Sequence, residues 1–141
     1  MKRETSGDLS AIAQSVIRTH GEHDVDALAA LYAADATLVF PGAAFAGRDE
    51  IKGMWGAWFD AFPDVASQTH RVWTAADAFA LEWTERGTHN GEFVVAGMRI
   101  PATGRQLEWT GVSCYEVADG EIRAVRYYID PAPLMRVLGA A

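Results

Sequence analysis

Apolar residues recur at helical spacing near the start of the chain. Between about residues 8 and 20 they fall at positions i, i+3, i+4, i+7 and i+8, which predicts an amphipathic helix. Ser6 or Asp8 can cap this helix, and Gly21 ends it. A second, short helix is predicted after an Asp24 cap, with Tyr32 on its apolar face.

A third helical pattern, between Arg48 and Phe62, is the strongest in the chain, and Pro63 ends it. Its apolar face carries Ile51, Met54, Trp55, Trp58, Phe59 and Phe62. Aromatic side chains at helical spacing are most often part of a core. We predict that this face packs in the core and that Trp55 and Phe59 also wall an apolar pocket.

The second half of the chain alternates between apolar and polar residues, which predicts β-strands. The predicted strands are Val65–Trp73, Phe79–His89, Gln106–Val117 and Glu121–Asp130, after an earlier strand at Ala36–Phe40 that Pro41-Gly42 ends. The segment Asn90–Arg105 is predicted to be a loop, and a short helix is predicted after Pro131. Short connections such as Asp119-Gly120 favour antiparallel pairing. The predicted fold class is therefore α+β: a curved antiparallel sheet with about three helices packed on one face, forming a cone with an apolar pocket.

Length and composition narrow the possible partners. A chain of 141 residues suits one domain, here residues 1–141. The net charge is −7 and no Lys/Arg cluster occurs, so neither nucleic acid nor a membrane surface is an expected partner. No apolar run approaches the ~20 residues of a membrane span. No secretory signal is visible, and the lone Cys114 suits a reducing compartment, so we expect a cytoplasmic protein that binds a small molecule or another protein.

Motifs for the common cofactors and metals are absent from the sequence. It has no phosphate-binding glycine loop, no dinucleotide fingerprint, no nucleophile elbow and no HExxH, so no cofactor is predicted. His20 and His23 lie near Glu22, Asp24 and Asp26, across the end of the first helix. We interpret this group as a hydrated, charged turn, and no metal site is predicted.

An ordered series of short motifs resembles the SnoaL-like families of the nuclear transport factor 2-like superfamily. The series is Leu31-Tyr32-Ala33-Ala34-Asp35-Ala36-Thr37, Gly47 through Phe62-Pro63-Asp64, Gly87-Thr88-His89-Asn90-Gly91, Pro101-Ala102-Thr103-Gly104-Arg105, Asp119-Gly120-Glu121-Ile122, and Tyr128-Ile129-Asp130 running into Leu138-Gly139. The resemblance implies a cone with a curved sheet, often dimeric, that binds small hydrophobic molecules. Members of these families include polyketide ring cyclases, epoxide hydrolases and ketosteroid isomerases.

The acid/base residues of those enzymes do not carry over to this chain. The resemblance places Tyr127 where the cyclases and the epoxide hydrolases carry a last-strand Asp, and Ser113 and Val125 where cyclases carry assisting His residues. Arg86 matches the strand Arg of the epoxide hydrolases, but their partnering Asp falls on Thr88. The base of the ketosteroid isomerases falls on Phe40. A bulge of one or two residues would bring Asp130 or Arg126 into the missing role.

The cyclase resemblance also implies which side chains face the pocket. They are Val125, Tyr127 and Ile129; Trp109, Gly111, Ser113 and Tyr115; and Phe79, Leu81, Trp83, Glu85, Gly87 and His89. The pocket residues selected as ligand contacts are Tyr127, Ser113, Trp109, Trp83, Trp55, Phe59 and Tyr32. Such an aromatic pocket with few polar groups suits a polycyclic or aromatic ligand.

Three residues are candidate general bases, and each also has a structural interpretation. His89 titrates near neutral pH but is equally a turn residue bonded to backbone. Glu85 would have a raised pKa if buried, or would be an exposed partner of Arg86 or Arg105. Asp130 precedes Pro131, a pattern typical of a helix cap.

Two main functions stay open at this point. The first is a cofactor-independent enzyme that performs enolate-type cyclisation or isomerisation of a carbonyl-bearing substrate, with Tyr127 and Ser113 as hydrogen-bond donors. The second is a non-catalytic binding module that uses the same pocket. An epoxide hydrolase-like enzyme is a third hypothesis. A homodimer is expected from the family resemblance.

Overall fold

The computed structural model describes residues 6–95, 98–130 and 132 of the chain. The helices are α1 (Ser6–Gly21), α2 (Val25–Ala29) and α3 (Arg48–Ala61). The strands are β1 (Tyr32–Phe40), β2 (Ala43–Ala46), β3 (Ala66–Thr74), β4 (Ala78–Thr88), β5 (Phe93–Val95), β6 (Met98–Ile100), β7 (Gln106–Ala118) and β8 (Glu121–Ile129). The predicted closing helix lies outside the described residues, apart from Ala132.

The helices follow their sequence signals closely. The Asp24 side chain accepts a hydrogen bond from the Ala27 N–H at 3.1 Å, which caps α2 as predicted. The helix ends at Ala29, however, so Tyr32 is the first residue of β1 and not part of a helical face. In α3 the predicted apolar face is buried, Pro63 follows the helix, and Ile51 has no exposed surface. None of the helices in the described part of the chain combines the length and apolarity that crossing a bilayer requires.

The main sheet has six strands in the order β2-β1-β8-β7-β4-β3. The four strands of the second half pair antiparallel, as predicted, and Asp119 and Gly120 form the turn between β7 and β8 with positive φ values of 54° and 76°. Both values are those of a type I′ hairpin turn.

The sheet is mixed, which corrects the expectation of a purely antiparallel one. β1 pairs parallel with β8, so the first and the last of the described strands lie side by side. The sequence pattern could not predict this, because β1 and β8 are far apart in the chain and α3 and six strands lie between them.

Three further strands were not predicted. β2 forms a hairpin with β1 through Pro41-Gly42, where Gly42 has a φ of 84°. The Asn90–Arg105 segment is not all loop, since β5 and β6 pair as a separate two-stranded sheet. Strands β2, β5 and β6 are each too short for an alternation of apolar and polar residues to identify them.

The core lies between the helices and one face of the curved sheet. Register shifts interrupt the pairing of β1 with β8, β3 with β4 and β7 with β8. Such bulges bend a sheet. Helix α1 contacts β3 and β4, whereas α3 contacts β1, β2 and β5. The curved sheet and the helices enclose a cavity.

Candidate active site

A cavity of about 470 Å³ lies between the sheet, α1 and α3. Most of its wall is apolar and aromatic. The aromatic side chains that line it are Phe40, Phe45, Trp55, Trp58, Trp83, Phe93, Trp109, Tyr115 and Tyr127. The polar side chains among the described lining residues are few: His20, Ser67, Thr69, Glu85 and Ser113, together with the two tyrosine hydroxyl groups.

Period-two alternation along the strands explains why these residues face inward. On β4, the buried residues Leu81, Trp83 and Glu85 alternate with residues that are less buried or exposed. Glu85 lies opposite Trp109 on β7 and opposite Ser67 on β3. The carboxyl group is therefore flanked on both sides by residues of neighbouring strands.

Glu85 is a buried carboxyl group in an otherwise apolar wall. Only 6% of the residue is exposed, and the Ser67 hydroxyl donates a hydrogen bond to Oε2. Burial raises the pKa of Glu85 to about 7, and the hydrogen bond from Ser67 opposes this rise. Glu85 is therefore not the exposed partner of Arg86 or Arg105 that the alternative interpretation described, since it is buried and Arg86 pairs with Glu108.

His20 is the cavity residue that sequence analysis missed. It lies in the last turn of α1, and its Nε2 atom is 3.3 Å from Glu85 Oε2. Burial, together with the nearby His23, lowers the pKa of His20 to about 4, so the ring is neutral at neutral pH. The sequence placed His20 in a hydrated turn. Its position four residues after the buried Val16 and three after the partly buried Ile17 could have indicated the inward face of α1.

A second polar cluster occupies the β7 and β8 side of the cavity. The Trp83 indole donates a hydrogen bond to Ser113 Oγ at 3.1 Å, and the hydroxyl oxygens of Tyr115 and Tyr127 are 3.4 Å apart. Burial raises the pKa of Tyr127 well above its usual value, and that of Tyr115 is raised as well. Both hydroxyl groups therefore keep their protons at neutral pH and can donate hydrogen bonds.

The predicted ligand contacts divide into two groups. Tyr127, Ser113, Trp109, Trp83 and Trp55 line the cavity. Phe59 lies behind the wall, where its ring stacks on His23 and contacts the ring of His20. Tyr32 is fully buried outside the lining, and its hydroxyl group and Trp55 Nε1 are buried without a hydrogen-bond partner.

His89 and Asp130, two of the three candidate bases, do not line the cavity. His89 is fully buried just beyond β4, where its Nδ1 bonds to Thr103 Oγ1 at 3.0 Å and its ring contacts Phe62. Asp130 is exposed, and its Oδ1 accepts a hydrogen bond from the Ala132 N–H at 3.0 Å, as a helix cap would. Of the three, the structure brings only Glu85 to the cavity.

The described residues contain no group of three His, Cys, Asp or Glu side chains close enough to hold a metal ion. Of the five residues of the charged turn, His20 faces the cavity and His23 Nε2 lies 2.8 Å from the Val65 carbonyl oxygen. The chemistry that the cavity offers is therefore that of one carboxyl group, one imidazole and several neutral donors.

Comparisons with solved structures place the fold among cyclase-like proteins. A proposed SnoaL-like polyketide cyclase from Jannaschia sp. CCS1 has a TM-score of 0.84 at 16% identity, covering 100% of this chain and 99% of its own. AclR, a proposed hydroxylase from Streptomyces galilaeus, has a TM-score of 0.81 at 19% identity, covering 97% and 99%. IdmH, a proposed polyketide cyclase from Streptomyces antibioticus, has a TM-score of 0.72 at 25% identity, covering 92% and 97%.

The sequence comparisons identify the family. A search of the curated proteins finds no match. The SnoaL-like domain family matches residues 13–125, a span that runs from α1 into β8. The chain therefore belongs to the SnoaL-like domain family.

Proposed function

We propose that the chain binds a small hydrophobic, carbonyl-bearing molecule in the cavity and catalyses its cyclisation or isomerisation without a cofactor. Glu85 is the general base in this proposal. The observation that carries it is a buried carboxyl group among aromatic side chains, in contact with a neutral imidazole. A pKa of about 7 gives Glu85 both protonation states at neutral pH, which is the condition for efficient proton transfer.

The two polar clusters of the cavity suit the two halves of an enolisation. The Glu85 carboxylate removes a proton from the carbon next to the carbonyl, and negative charge develops on the carbonyl oxygen. The neutral hydroxyl groups of Tyr127 and Ser113 can donate hydrogen bonds to that oxygen. The enolate then takes the proton back at another carbon, which is isomerisation, or attacks a second carbonyl of the same molecule, which is cyclisation.

Support for this substrate class comes from the wall of the cavity and from the fold neighbours. Nine aromatic side chains favour a flat, apolar ligand body. Two of the similar structures are proposed polyketide cyclases, and polyketides carry several carbonyl groups.

A non-catalytic binding module is the second candidate. It is favoured by the replacement of the relatives' bases, since Tyr127 and Phe40 stand where carboxylates are expected from the resemblance. An epoxide hydrolase is least favoured, because such an enzyme needs more than one carboxylate to hold the attacking water. Among the described residues, Glu85 is the one carboxylate that lines the cavity.

Hydrogen exchange of β-tetralone in heavy water tests the proposal without knowledge of the natural substrate. This bicyclic ketone has acidic hydrogens next to its carbonyl, and their loss can be followed by NMR. We expect the wild-type chain to accelerate the exchange and Glu85→Gln to reduce that acceleration at least about a hundredfold. Glu82→Gln, on the opposite face of β4, is the matched control. Binding without exchange would support the binding module and contradict the enzyme.

The homodimer and the cytoplasmic location are part of the same proposal. The family resemblance supports the first, and the lone Cys114 supports the second. Light scattering on the purified chain tests the oligomeric state. Nucleic acid and membranes are not proposed as partners, because the net charge is −7.

A further inference from the structure

The ring of His20 is held in one orientation beside Glu85. Its Nε2 atom is 3.3 Å from Glu85 Oε2. The ring packs edge-on against Trp55, with centroids 5.1 Å apart, and against Phe59 at 5.2 Å. These two rings restrict rotation of the imidazole, so the Nε2 atom stays directed at the carboxyl group.

The other nitrogen of His20 is on the side of the ring away from Glu85. No described residue forms a hydrogen bond with Nδ1, and 13% of the His20 side chain is open to solvent. The next residue, Gly21, is exposed and also lines the cavity. The imidazole thus lies between the buried carboxyl group and a point where solvent reaches the cavity wall.

We propose that His20 is a proton relay between Glu85 and the solvent, and hence a positioning residue of the site. This inference rests on the proposed function, in which Glu85 is the base. In the relay, the O–H bond of the protonated Glu85 breaks and its proton binds to Nε2, while the N–H bond at Nδ1 breaks and that proton passes to water. The ring is left as the Nε2–H tautomer, and exchange of that proton with water in the cavity returns the first tautomer, so that the pair is ready for another turnover.

The charges around the pair are compatible with this role. A relay needs a neutral imidazole with a free lone pair, and burial keeps His20 neutral. The titratable groups that face the pair are His23, next to α1, and Tyr115 and Tyr127, on β7 and β8. The two tyrosines are neutral at neutral pH, and the neighbouring side chains of α3 are uncharged aromatic rings. Among the described residues, no cation competes with His20 for the carboxylate.

Ser67 is the competing route for the proton. It also hydrogen-bonds to Glu85 and is exposed, but its single oxygen must both accept one proton and donate another, whereas the imidazole accepts at one nitrogen and donates from the other, on opposite sides of the ring. The geometry therefore favours His20, and Ser67→Ala separates the two routes by experiment.

The relay can be tested with a β,γ-unsaturated cyclohexenone in heavy water. In its isomerisation, Glu85 takes a proton from the carbon between the carbonyl and the double bond and returns one to the γ-carbon, which conjugates the ketone. If Glu85 returns the same proton that it removed, no relay is needed. Deuterium enters the product only if the proton on Glu85 first exchanges with the solvent. We expect His20→Gln to keep conversion within about threefold of wild type and to lower deuterium per product at least about tenfold.

The other variants assign the cause of any loss. His70→Gln, an exposed histidine on β3, should match wild type in both readouts, whereas Glu85→Gln should lose both. An unchanged deuterium fraction in His20→Gln, or a loss confined to Ser67→Ala, overturns the relay. Conversion that survives in Glu85→Gln overturns the proposed function instead.

If the wild-type chain converts no ketone, a titration without ligand tests the relay instead. The ¹⁵N shifts of the His20 ring are recorded against pH in wild type, Glu85→Gln and Glu82→Gln. We expect the wild type and Glu82→Gln to show, besides protonation of the ring, a step at the pH where Glu85 ionises, and Glu85→Gln to lack that step. Identical curves in all three proteins overturn the relay.

Discussion

The indole ring of Trp83 fills the space that a side chain at Gly111 would need. The two residues lie opposite each other on β4 and β7. A Cβ atom on Gly111 would lie 2.8 Å from Trp83 Cη2 and 2.8 Å from the Tyr128 carbonyl oxygen. The same indole donates a hydrogen bond to Ser113, so Gly111 fixes how the cavity wall and one of its polar groups are placed.

Gly111→Ala should therefore destabilise the fold and disturb the cavity. Because the backbone of β8 as well as the Trp83 ring must move, we expect a loss of about 1–3 kcal/mol in the free energy of unfolding, measured with urea. Gly56→Ala in α3 is the matched control. Its added methyl group meets nothing within 4 Å, and alanine favours helix, so its stability should rise by about 0.5–1 kcal/mol. Equal stabilities for the two variants would contradict this role of Gly111.

The stability of the wild-type chain should carry opposite contributions from Glu85 and His20 as the pH changes. In the folded chain the pKa of Glu85 is raised from 4.5 to about 7. The stability that Glu85 contributes is therefore fully present below its unfolded pKa of 4.5 and is lost as the pH rises through about 7. The folded pKa of His20 is lowered from 6.5 to about 4, so its contribution is present above the unfolded value and is lost as the pH falls through about 4.

Single variants should expose each contribution. Relative to wild type, Glu85→Gln should gain about 1–3 kcal/mol of stability as the pH rises from about 4.5 to 7. His20→Gln should lose about 1–3 kcal/mol relative to wild type as the pH rises from about 4 to 6.5. Urea unfolding at several pH values measures both differences. Differences that do not change with pH would show that neither group is shifted in the folded state.

Tyr127→Phe should slow proton removal with little effect on binding. The change deletes a neutral hydroxyl donor but keeps the ring that lines the cavity and stacks on Phe40. If this hydroxyl group stabilises the enolate oxygen, the exchange rate of β-tetralone should fall on the order of a hundredfold, while quenching of tryptophan fluorescence by the ligand is retained. The neighbouring Tyr128 is 57% exposed, and Tyr128→Phe should leave the rate unchanged.

His89 should prove to be a structural residue. It is fully buried, and its Nδ1 bonds to Thr103, so His89→Ala should lower the free energy of unfolding by about 1–3 kcal/mol. The exchange rate of the folded fraction should stay at the wild-type level, as should that of Asp130→Asn. A large loss of rate in either variant, at wild-type stability, would restore that residue as a catalytic candidate.

Much of the fold could be predicted because its signals are local. The alternation from Phe79 to Glu85 and the helical spacing from Ile51 to Phe59 each report one buried face, and the structure buries both faces. Asp119-Gly120 forms the predicted turn because Gly120 adopts positive φ without strain and Asp is among the residues that tolerate it. Short elements such as β2, β5 and β6 offer too few residues for a period to appear.

The candidate site could be predicted only in part. Glu85, Ser113 and Tyr127 were found because the resemblance to the cyclases implies which of the two alternating faces of each strand points inward. His89 fits the same alternation, but it lies one residue past the end of β4, and the segment that contains Thr103 and Arg105 covers it through backbone hydrogen bonds. Alternation predicts burial, and it does not distinguish burial in a cavity wall from burial under a loop.

By itself, the sequence determined the α+β class, the buried faces of its longer elements and the aromatic character of the pocket, because these follow from residue periodicity and side-chain type. Only the tertiary structure decided that β1 lies parallel to β8, and that α1 brings His20 to within 3.3 Å of Glu85. The physical reason is that both relationships join residues more than 60 positions apart in the chain. Such contacts depend on how whole elements pack, which no local pattern of apolar and polar residues records.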